Sequence, residues 1–591
     1  MPQSNIFYGT LPFCFILAQN VVRCREYAQD IEVVQNRRYI VMAWYDEAVF
    51  YHIYPLGMTG APMENSYGKP VERLNKLIPW IDHIKDIGCN AIYIGPLFES
   101  VGHGYETTDY KKLDSRLGTN ETLKNFVKVC HEKGVKVIFD GVFNHTGRDF
   151  FAFKDLKENR ENSRYKDWYC NVNFWGNNEY NDGFSYENWG GYNLLVKLNQ
   201  RHPEVKNYIC DVIRYWVSEF DVDGIRLDAA DVLDFDFMKE LRRTANEVKE
   251  EFWLMGEVIH GDYIRWANAD TLHSVTNYHL HKALFSGYND HNFFEIAHTV
   301  KRLNDMCGGV FKLYSFVDNH DVERIASKLN NKAGFMPVHI LLYTLPGIPS
   351  IYYGSEFGIE GRKGHGAQSD APLRPELVYE EWMGKKADNA YVQFVTALGK
   401  IRQSVKELSY GDYRELSLTT RQYVFSRSYE GSSVIVMVNN DDNPCTLTAP
   451  AHGEYTGALS GRKISAEGTL VAEIMGNAGE IWVPSTSADV VIPTTDVKAI
   501  VTKMQETVAE PVVEDKIAKV EASTTTELED AVAQEVELDL NKPYEEMTVA
   551  ELHAVILGKM AKNGPVTDYM KKTVADNTHH GSLINWARSF Q

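Results

Sequence analysis

The chain has 591 residues, of which 44% are hydrophobic and 24% charged, and its formal net charge is −20. This apolar content is typical of globular proteins, and the acidic excess excludes a general surface for nucleic acid or anionic membranes, because both require clustered positive charge. No run of about 18 or more uncharged apolar residues occurs, so the sequence predicts no membrane-spanning helix.

Residues 1–43 precede the regular pattern and are predicted to be an extension outside the fold. Within them, residues 11–18 form a short apolar run that lacks the basic leader and small-residue cleavage site of a signal peptide. The eight cysteines are spread thinly without a C-x-x-C pair, which is typical of a reducing compartment. We therefore expect a cytoplasmic protein, with secretion as the less favoured alternative.

Residues 44–404 alternate short apolar runs with longer amphipathic stretches, which is the pattern of parallel β-α-β units. The apolar runs include Val49–Ile53, Ala91–Ile94, Val135–Phe139, Gly224–Leu227, Phe252–Met255, Leu313–Val317 and Ser350–Tyr352. About eight such units favour a (β/α)8 TIM barrel, an α/β fold whose active site lies at the carboxyl ends of the strands.

An interruption at residues 147–198 is rich in Asn, Tyr, Trp and Gly and predicts an inserted lid domain after the third strand. Its aromatic side chains suit stacking on sugar rings, although packing among themselves explains any single one equally well. The insertion would lie at the rim that carries the active site, because it follows the carboxyl end of a strand.

Residues 405–502 change to a two-residue alternation, as in Tyr423–Arg427, Ser433–Val438 and Asp489–Ile492, which predicts a carboxy-terminal antiparallel β-sandwich. Residues 503–540 have the composition of an acidic linker. Residues 541–591 are predicted to be a small helical module, because Thr548 and Glu551 form a capping box before an apolar helical pattern. The sequence assigns this module no function, and docking to an unidentified partner is one interpretation.

Two carboxyl groups stand at the ends of neighbouring apolar runs. Asp228 follows Gly224–Leu227, and Arg226 lies two residues earlier on the same strand face. An arginine at this position favours an ionised carboxylate, which makes Asp228 a candidate nucleophile, with capping of the next helix as the alternative. Glu257 follows the next run, and a dry pocket there would keep a carboxyl protonated, as a general acid requires. An ordinary surface loop is the alternative for Glu257.

Two further polar clusters follow strands, at Asp318–Asp321 and at Asp140–His145. One of the two aspartates in the first cluster is a candidate metal ligand, helix cap or further catalytic carboxylate, and His145 is either a structural histidine or a substrate contact. All four clusters are expected at one rim of the barrel. Two carboxyl groups that face each other at such a rim suit retaining glycoside hydrolysis, in which one attacks the sugar and the other protonates the leaving oxygen.

These clusters resemble the conserved regions of the α-amylase family of glycoside hydrolases, in the same order along residues 44 to 500. Gly347-Ile348-Pro349 and Tyr353-Gly354-Ser355-Glu356 resemble another region of that family. The resemblance implies that Asp228 is the nucleophile, Glu257 the acid/base, and Asp321, rather than Asp318, the third carboxylate. It also implies substrate-binding roles for His103, Tyr105, His145, Arg226, His320, Asp370 and Arg374.

The stretch Leu195–Asn199 resembles the corresponding stretch of neopullulanases and cyclomaltodextrinases. Many α-amylases carry a calcium-binding Asp where this chain has Lys197, and an ammonium group cannot bind calcium. We therefore expect neither the usual calcium site of the family nor any other metal or cofactor. Residues 229–232, which follow the nucleophile and border the acceptor sugar, differ from both types of relative, so a preference for α-1,4 or α-1,6 bonds is left open.

The sequence predicts a retaining α-glucan hydrolase that cleaves mainly α-1,4 bonds of maltodextrins, cyclodextrins or related oligosaccharides. A transglycosylase or a sucrose- or trehalose-processing enzyme of the same family is the nearest alternative, because it would share all three carboxylates. A non-catalytic glucan-binding protein on the same barrel is a more remote alternative, since it predicts the loss of a catalytic carboxylate, and Asp228, Glu257 and Asp321 are all present.

Overall fold

The computed structural model describes residues 43–308, 311–364 and 366–485, together with Met547 and six residues between Leu552 and Lys559. The chain divides into two compact units, Met1–Ala509 and Glu510–Gln591. In the second unit, those six residues are helical, where the capping pattern predicts a helix, and Leu552, Val555 and Ile556 are buried. The predicted extension before Ala43, the linker at 503–540 and the rest of the module lie outside the described residues.

Eight parallel strands form the centre of the first unit. They are β1 (Phe50–Ile53), β2 (Ala91–Ile94), β3 (Lys136–Gly141), β4 (Gly224–Leu227), β5 (Trp253–Gly256), β6 (Ser274–Val275), β7 (Tyr314–Phe316) and β8 (Ile348–Tyr352). The sheet runs in the order β6-β5-β4-β3-β2-β1-β8-β7, and a parallel bridge between Thr276 and Tyr314 joins its two edges. The predicted TIM barrel is thereby confirmed.

The strands are buried on both faces, which explains their nearly continuous apolar sequence. Alternate residues such as Phe50, Tyr93, Trp253 and Phe316 point inward and form a core inside the barrel. Their neighbours, such as Tyr51, belong to the larger core between the barrel and its surrounding helices.

Helices follow most strands and cover the outside of the barrel. The α-helices are Pro55–Met58, Trp80–Asp86, Asn120–Glu132, Phe151–Asn159, Pro203–Phe220, Phe235–Val248, Tyr278–Asn289, Phe293–Cys307, Ile325–Lys328, Phe335–Thr344, Tyr379–Lys386, Ala390–Ser404 and Lys406–Tyr410. Single 3-10 turns lie at Trp44–Asp46, Arg73–Leu77, Arg160–Asn162, Lys166–Trp168, Ala230–Val232, Tyr263–Arg265, Lys332–Gly334, Ser355–Phe357, Gly366–Gln368 and Ala371–Leu373. Among the described residues, none of these helices has the length and apolar character needed to cross a bilayer.

The insertion after β3 has a small antiparallel sheet of its own, made of His145–Thr146, Tyr192–Lys197 and Asn188–Trp189. About half of its aromatic side chains are buried, and some pack against one another, as where Phe153 packs edge to face on Tyr169 and Tyr186. Trp175 is the opposite case, because 98% of it is exposed. Packing within the insertion therefore explains part of its aromatic content. A short hairpin of Phe98–Ser100 and Thr107–Leu113 follows β2 and contributes to the same rim.

The carboxy-terminal strands form one antiparallel sheet. They are Asp412–Leu418, Gln422–Tyr429, Ser432–Asn439, Cys445–Gly457, Lys463–Ile474 and Ala478–Pro484. Their antiparallel pairing is confirmed, but the described strands make a single curled half-barrel rather than two stacked sheets. All six strands pair in this one sheet, and residues of five of them, including Trp482, form a small apolar core of their own. The predicted strand at 489–492 lies outside the described residues.

Two buried arginines lie against the end of the helix Phe335–Thr344, and one of them, Arg427, joins this sheet to the barrel. Arg402 donates hydrogen bonds to the carbonyl oxygens of Tyr343 and Gly347 at 2.9 and 2.8 Å, and Arg427 donates to that of Thr344 at 2.6 Å. Tyr343 and Thr344 end a helix, so the guanidinium groups lie at the negative end of its dipole. This explains why both charges tolerate burial without a carboxylate hydrogen-bonded to them.

Candidate active site

The predicted polar residues gather at the carboxyl ends of the barrel strands. Asp140 lies at the end of β3, Asp228 and Glu257 directly follow β4 and β5, and Asp321 follows β7. Asp140 and Asp228 are buried, and 13% of the Glu257 side chain is exposed. Because parallel strand ends meet at one rim, residues far apart in sequence come into contact here.

Arg226 binds three carboxylates at once. Its Nη1 donates to Oδ1 of Asp140 at 2.8 Å and to Oδ1 of Asp228 at 3.0 Å. Its Nη2 lies 2.7 Å from Oε2 of Glu257. The guanidinium is buried, so its charge and those of the carboxylates compensate one another away from water. One planar group thereby fixes the two candidate catalytic carboxylates relative to each other.

Asp228 is not simply held ionised by Arg226. Burial raises the pKa of Asp228 well above its usual range; Arg226 opposes this shift, whereas Glu257 and Asp140 add to it. The sequence-based expectation was incomplete because Arg226 is shared among three carboxylates. The protonation of Asp228 therefore depends on its burial and its acidic neighbours as well as on Arg226.

Glu257 lies in a polar environment rather than the dry pocket expected from its sequence context. Its Oε1 accepts a hydrogen bond from the hydroxyl of Tyr278 at 3.2 Å. Its Oε2 accepts one from the backbone amide of Ala229, also at 3.2 Å, besides its ion pair with Arg226. Donors on both oxygens fix the rotamer of this carboxyl group, which a general acid requires.

Asp321 lies opposite, between two cationic or polar partners. Its Oδ1 accepts from Nη2 of Arg374 at 2.8 Å, and its Oδ2 lies 3.0 Å from Nε2 of His320. Burial alone would raise the pKa of Asp321, but His320, Arg374 and Arg226 together hold it well below its usual range. Arg374 also pairs with Asp370 at 3.3 Å. These contacts keep Asp321 ionised and fixed in position.

Tyr105 connects the two sides of the site. Its hydroxyl lies 2.5 Å from Nε2 of His320 and 3.2 Å from Oδ2 of Asp140, which also accepts from the hydroxyl of Tyr93 at 2.8 Å. The ring of Tyr54 lies nearly parallel to that of His320, at 5.9 Å. The rim between Asp140 and Asp321 is thus lined by aromatic rings, which suit the apolar faces of a sugar.

The two remaining predicted histidines border the site through Tyr105. Nε2 of His145 lies 3.1 Å from the backbone oxygen of Tyr105, and burial lowers the pKa of His145 to about 3, so its ring is neutral. Nδ1 of His103 accepts from the backbone amide of Tyr105 at 3.3 Å, while its Nε2 pairs with Glu106 at 3.1 Å. The structure therefore brings all ten predicted site residues to one rim, with His103 at the more exposed edge.

Asp318 lies apart from this cluster. Its Oδ2 accepts hydrogen bonds from the backbone amide of Ile325 and the hydroxyl of Ser355, each at 2.8 Å. These contacts tie the loop after β7 to the loop after β8 and leave Asp318 buried beneath the site. Its surroundings are those of a structural carboxyl group.

The residues that correspond to the family's calcium site do not fit a calcium ion. The ammonium group of Lys197 pairs with Glu187, and Oδ1 of Asn144 accepts from the amide of Gln200 at 3.2 Å. A calcium ion requires several oxygen ligands turned towards one point. Within the described ranges of the chain, no group of three or more His, Cys, Asp and Glu side chains is placed to hold a metal ion.

Three tyrosines of the site were not identified from the sequence. Tyr54 and Tyr93 lie within or beside apolar strands, and Tyr278 begins a helix, so each resembles an ordinary core aromatic residue. For Tyr54 and Tyr93, the available signal is that Tyr54 directly follows β1 and Tyr93 lies next to the last residue of β2, so both are near the catalytic rim. No sequence pattern would have identified Tyr278.

Comparisons with known proteins agree with this geometry. The family described as "Alpha amylase, catalytic domain" matches residues 61–402. The chain is 34% identical over 377 residues to the cyclomaltodextrinase of Thermoanaerobacter pseudethanolicus, a match that covers 62% of this chain and 63% of that protein, less than two thirds of its length. It is 26% identical over 459 residues to the intracellular maltogenic amylase of Bacillus subtilis, covering 74% of this chain and 76% of that protein. A solved structure described as cyclomaltodextrinase has a TM-score of 0.66 at 27% identity, covering 74% of this chain and 78% of that one.

Proposed function

Because the chain belongs to the α-amylase family of glycoside hydrolases, we propose that it hydrolyses α-glucosidic bonds, mainly α-1,4, in maltodextrins and cyclodextrins. The observation that carries the proposal is the pairing of Asp228 and Glu257 through the single guanidinium of Arg226. Similarity to a cyclomaltodextrinase and to a maltogenic amylase supports this substrate class.

The arrangement suits a retaining mechanism in two displacements. In the first, an oxygen of Asp228 attacks the anomeric carbon while Glu257 gives a proton to the leaving glycosidic oxygen, so a glycosyl ester forms on Asp228 as the bond breaks. In the second, Glu257 takes a proton from water, and the oxygen of that water displaces Asp228. Hydrogen bonds to both oxygens of Glu257 hold its carboxyl group in place for these proton transfers.

The surrounding residues have complementary roles in the proposal. Asp321, kept ionised by His320 and Arg374, accepts hydrogen bonds from sugar hydroxyls that strengthen as positive charge develops in the ring. Tyr105 supports the face of the same sugar. His103, His145 and Asp370 form the outer part of the substrate-binding rim.

The test is product analysis with a panel of maltoheptaose, β-cyclodextrin, pullulan, starch, sucrose and trehalose. We expect cleavage of the first two into short maltosaccharides, and products longer than the substrate would indicate glycosyl transfer instead of hydrolysis. Asp228→Asn should lower turnover on the order of 10⁴-fold while leaving the fold intact. Wild-type protein that cleaves no α-glucoside would overturn the proposal.

A cytoplasmic location is part of the proposal. The six cysteines of the described residues, which include Cys89 and Cys210, are all free thiols, as expected in a reducing compartment. One of the relatives is named as intracellular. Fractionation of the source cells, with the activity followed in each fraction, would decide between the cytoplasm and the exterior.

A further inference from the structure

The two oxygens of Glu257 have different partners. Oε2 receives two N–H donors, the guanidinium Nη2 of Arg226 at 2.7 Å and the backbone amide of Ala229 at 3.2 Å. Oε1 receives one donor, the hydroxyl of Tyr278 at 3.2 Å. This asymmetry determines which oxygen can carry the proton of a general acid.

A proton on Oε2 would point its hydrogen towards the N–H groups that already occupy that oxygen. The resulting contact of like partial charges, beside a buried guanidinium, makes this form unfavourable. The acidic proton must therefore lie on Oε1, which retains a free direction besides its contact with Tyr278. Oε1 is then the oxygen that faces the glycosidic bond.

The direction of the hydrogen bond from Tyr278 follows from its neighbour Asn319. Oδ1 of Asn319 accepts from the backbone amides of Asp321 and Val322 at 2.8 and 3.0 Å, so its Nδ2 must be the atom that faces Tyr278. Nδ2 donates to the hydroxyl oxygen of Tyr278 at 3.2 Å. The phenol can then give its own hydrogen only to another acceptor, and Oε1 of Glu257 is within reach.

Packing holds Tyr278 in this position. Tyr278 is the first residue of the helix Tyr278–Asn289, and the side chain of Asn277 caps that helix by accepting from the amide of Leu280. The ring of Tyr278 lies edge to face on that of Phe316, with centroids 5.0 Å apart. The hydroxyl is therefore aimed by a capped helix and a barrel strand rather than by a flexible loop.

We propose that Tyr278 is a positioning residue for the acid/base, and that its hydroxyl orients Oε1 of Glu257 and stabilises the carboxylate that forms when the proton leaves. The inference rests on the proposed function. Its physical basis is that a hydrogen bond to a charged acceptor is stronger than the same bond to a neutral one, so this contact strengthens as Glu257 transfers its proton. Tyr278 contributes most when the leaving group needs full protonation.

The test compares two substrates with Tyr278→Phe, which removes only the hydroxyl. Maltoheptaose needs a proton on its leaving oxygen, whereas fluoride leaves from α-maltosyl fluoride with little help. We expect kcat/KM of the variant to fall about 10- to 100-fold for maltoheptaose, as for loss of one hydrogen bond to a charged group, and less than about threefold for the fluoride. Tyr314→Phe is the matched control, because the hydroxyl of Tyr314 bonds to that of Ser350 inside the barrel at 2.6 Å. This variant should keep the wild-type kcat/KM for both substrates.

The pH profile gives an independent readout. The charged and titratable groups that face Glu257 are Arg226 and Asp228 at β4, Asp231 in the following loop, and Tyr278 itself, which also faces Asp321. Only the contribution of Tyr278 changes in the variant. Loss of a hydrogen bond to the carboxylate form delays proton loss, so the basic limb of kcat/KM for maltoheptaose should move to higher pH.

The outcomes separate this inference from the function on which it rests. Wild-type protein that cleaves neither substrate would refute the proposed function. Wild-type protein that cleaves both, with Tyr278→Phe slowing the two substrates equally or not at all, would refute the role of Tyr278 alone. Equal thermal unfolding of the wild type and the variant is the check that the fold is retained.

Discussion

The backbone amide of Ala229 donates a hydrogen bond to Oε2 of Glu257 across 3.2 Å. Ala229 directly follows Asp228, so this bond ties the two candidate catalytic carboxylates through one peptide unit. Ala229 reaches this position in the left-handed region, with φ 46° and ψ 44°, which residues other than glycine rarely adopt. Strain of this kind persists only where the surrounding structure fixes it, as it does at a catalytic site.

The conformation of Ala229 predicts opposite results for two substitutions. Ala229→Gly should retain activity within about threefold, because glycine adopts positive φ freely and keeps the amide donor. Ala229→Val should lower kcat/KM more than about tenfold and destabilise the protein by about 1–3 kcal/mol, because a branched side chain resists this region. Steady-state kinetics and chemical denaturation measure both effects. Equal activity of the two variants would show that the left-handed peptide does not position Glu257.

Asp318 and Asp321 are three residues apart and are expected to respond differently to the same change. Asp321→Asn should lower kcat on the order of 10³-fold or more, because it removes a negative charge that His320 and Arg374 hold in place. Asp318→Asn should leave kcat within a few-fold, because burial already raises the pKa of Asp318 and favours its neutral form. The kinetic comparison of the two variants would contradict the assignment if Asp318→Asn were the more damaging change.

Arg427 is expected to matter for stability rather than for chemistry. Arg427→Met leaves the buried carbonyl oxygens of Thr344 and Gly411 without a donor, which should cost about 2–4 kcal/mol and lower the unfolding temperature. Arg421→Met is the matched control, since Arg421 lies in the turn between the first two strands of the same sheet, with 37% of its side chain exposed, and should change the unfolding temperature little. Calorimetry of both variants, with kcat measured below the transition, separates the two roles. Equal unfolding temperatures would argue against the helix-end contact.

Four histidines, of which three are buried and His273 is partly buried, predict a loss of stability in mildly acidic solution. Burial is the main cause that lowers the pKa of His145, His273 and His281 to about 3 and that of His339 to about 4. The unfolded chain binds protons near pH 6.5, whereas the folded chain does not, so stability falls as pH decreases from 6.5 towards 4. The expected slope is about 1 kcal/mol per pH unit for each histidine. Urea unfolding at several pH values measures it, and a flat profile between pH 6.5 and 5 would contradict it.

The pairing of Lys197 with Glu187 predicts activity that does not depend on calcium. A strong chelator should leave both kcat and the unfolding temperature unchanged, because a lysine ammonium occupies the position that would supply a calcium ligand. Activity lost on chelation and restored by added calcium would overturn this expectation. Lys197→Met tests the pair itself and should destabilise by no more than about 1 kcal/mol, since both groups are about one third exposed.

The sequence was sufficient for most of the barrel because buried parallel strands leave nearly continuous apolar runs. The predicted run at Ala91–Ile94 coincides with β2, and that at Gly224–Leu227 coincides with β4. β6 was missed, because Ser274–Val275 is only two residues long and lies between His273 and Thr276. A strand this short is too short to show a repeating pattern of apolar residues, so only its pairing with neighbouring strands defines it.

The positions of the site residues were predictable where they follow directly from the ends of strands. Their hydrogen-bond partners were not, because these depend on the direction in which each side chain points. Asp228 and Glu257 follow their strands immediately, so their meeting at the rim follows from the barrel. The partners of Glu257 could not be read from the sequence, because the donor Tyr278 depends on how a helix begins and how a ring packs on Phe316. The same limit applies to Asp228, whose pKa depends first on its burial and then on its distances to Arg226 and the neighbouring acids.

The edges of the barrel sheet meet at β6 and β7, where a single bridge joins Thr276 to Tyr314. This is a seam with little backbone pairing, so the backbone amides beside it should exchange with solvent sooner than those of β1 or β2. Glu257 stands on one side of the seam and Asp321 on the other. The hydrogen bond from Asn319 to Tyr278 crosses this seam and helps to hold its two sides together. Local opening of the seam would therefore separate the acid/base from the third carboxylate without unfolding the barrel.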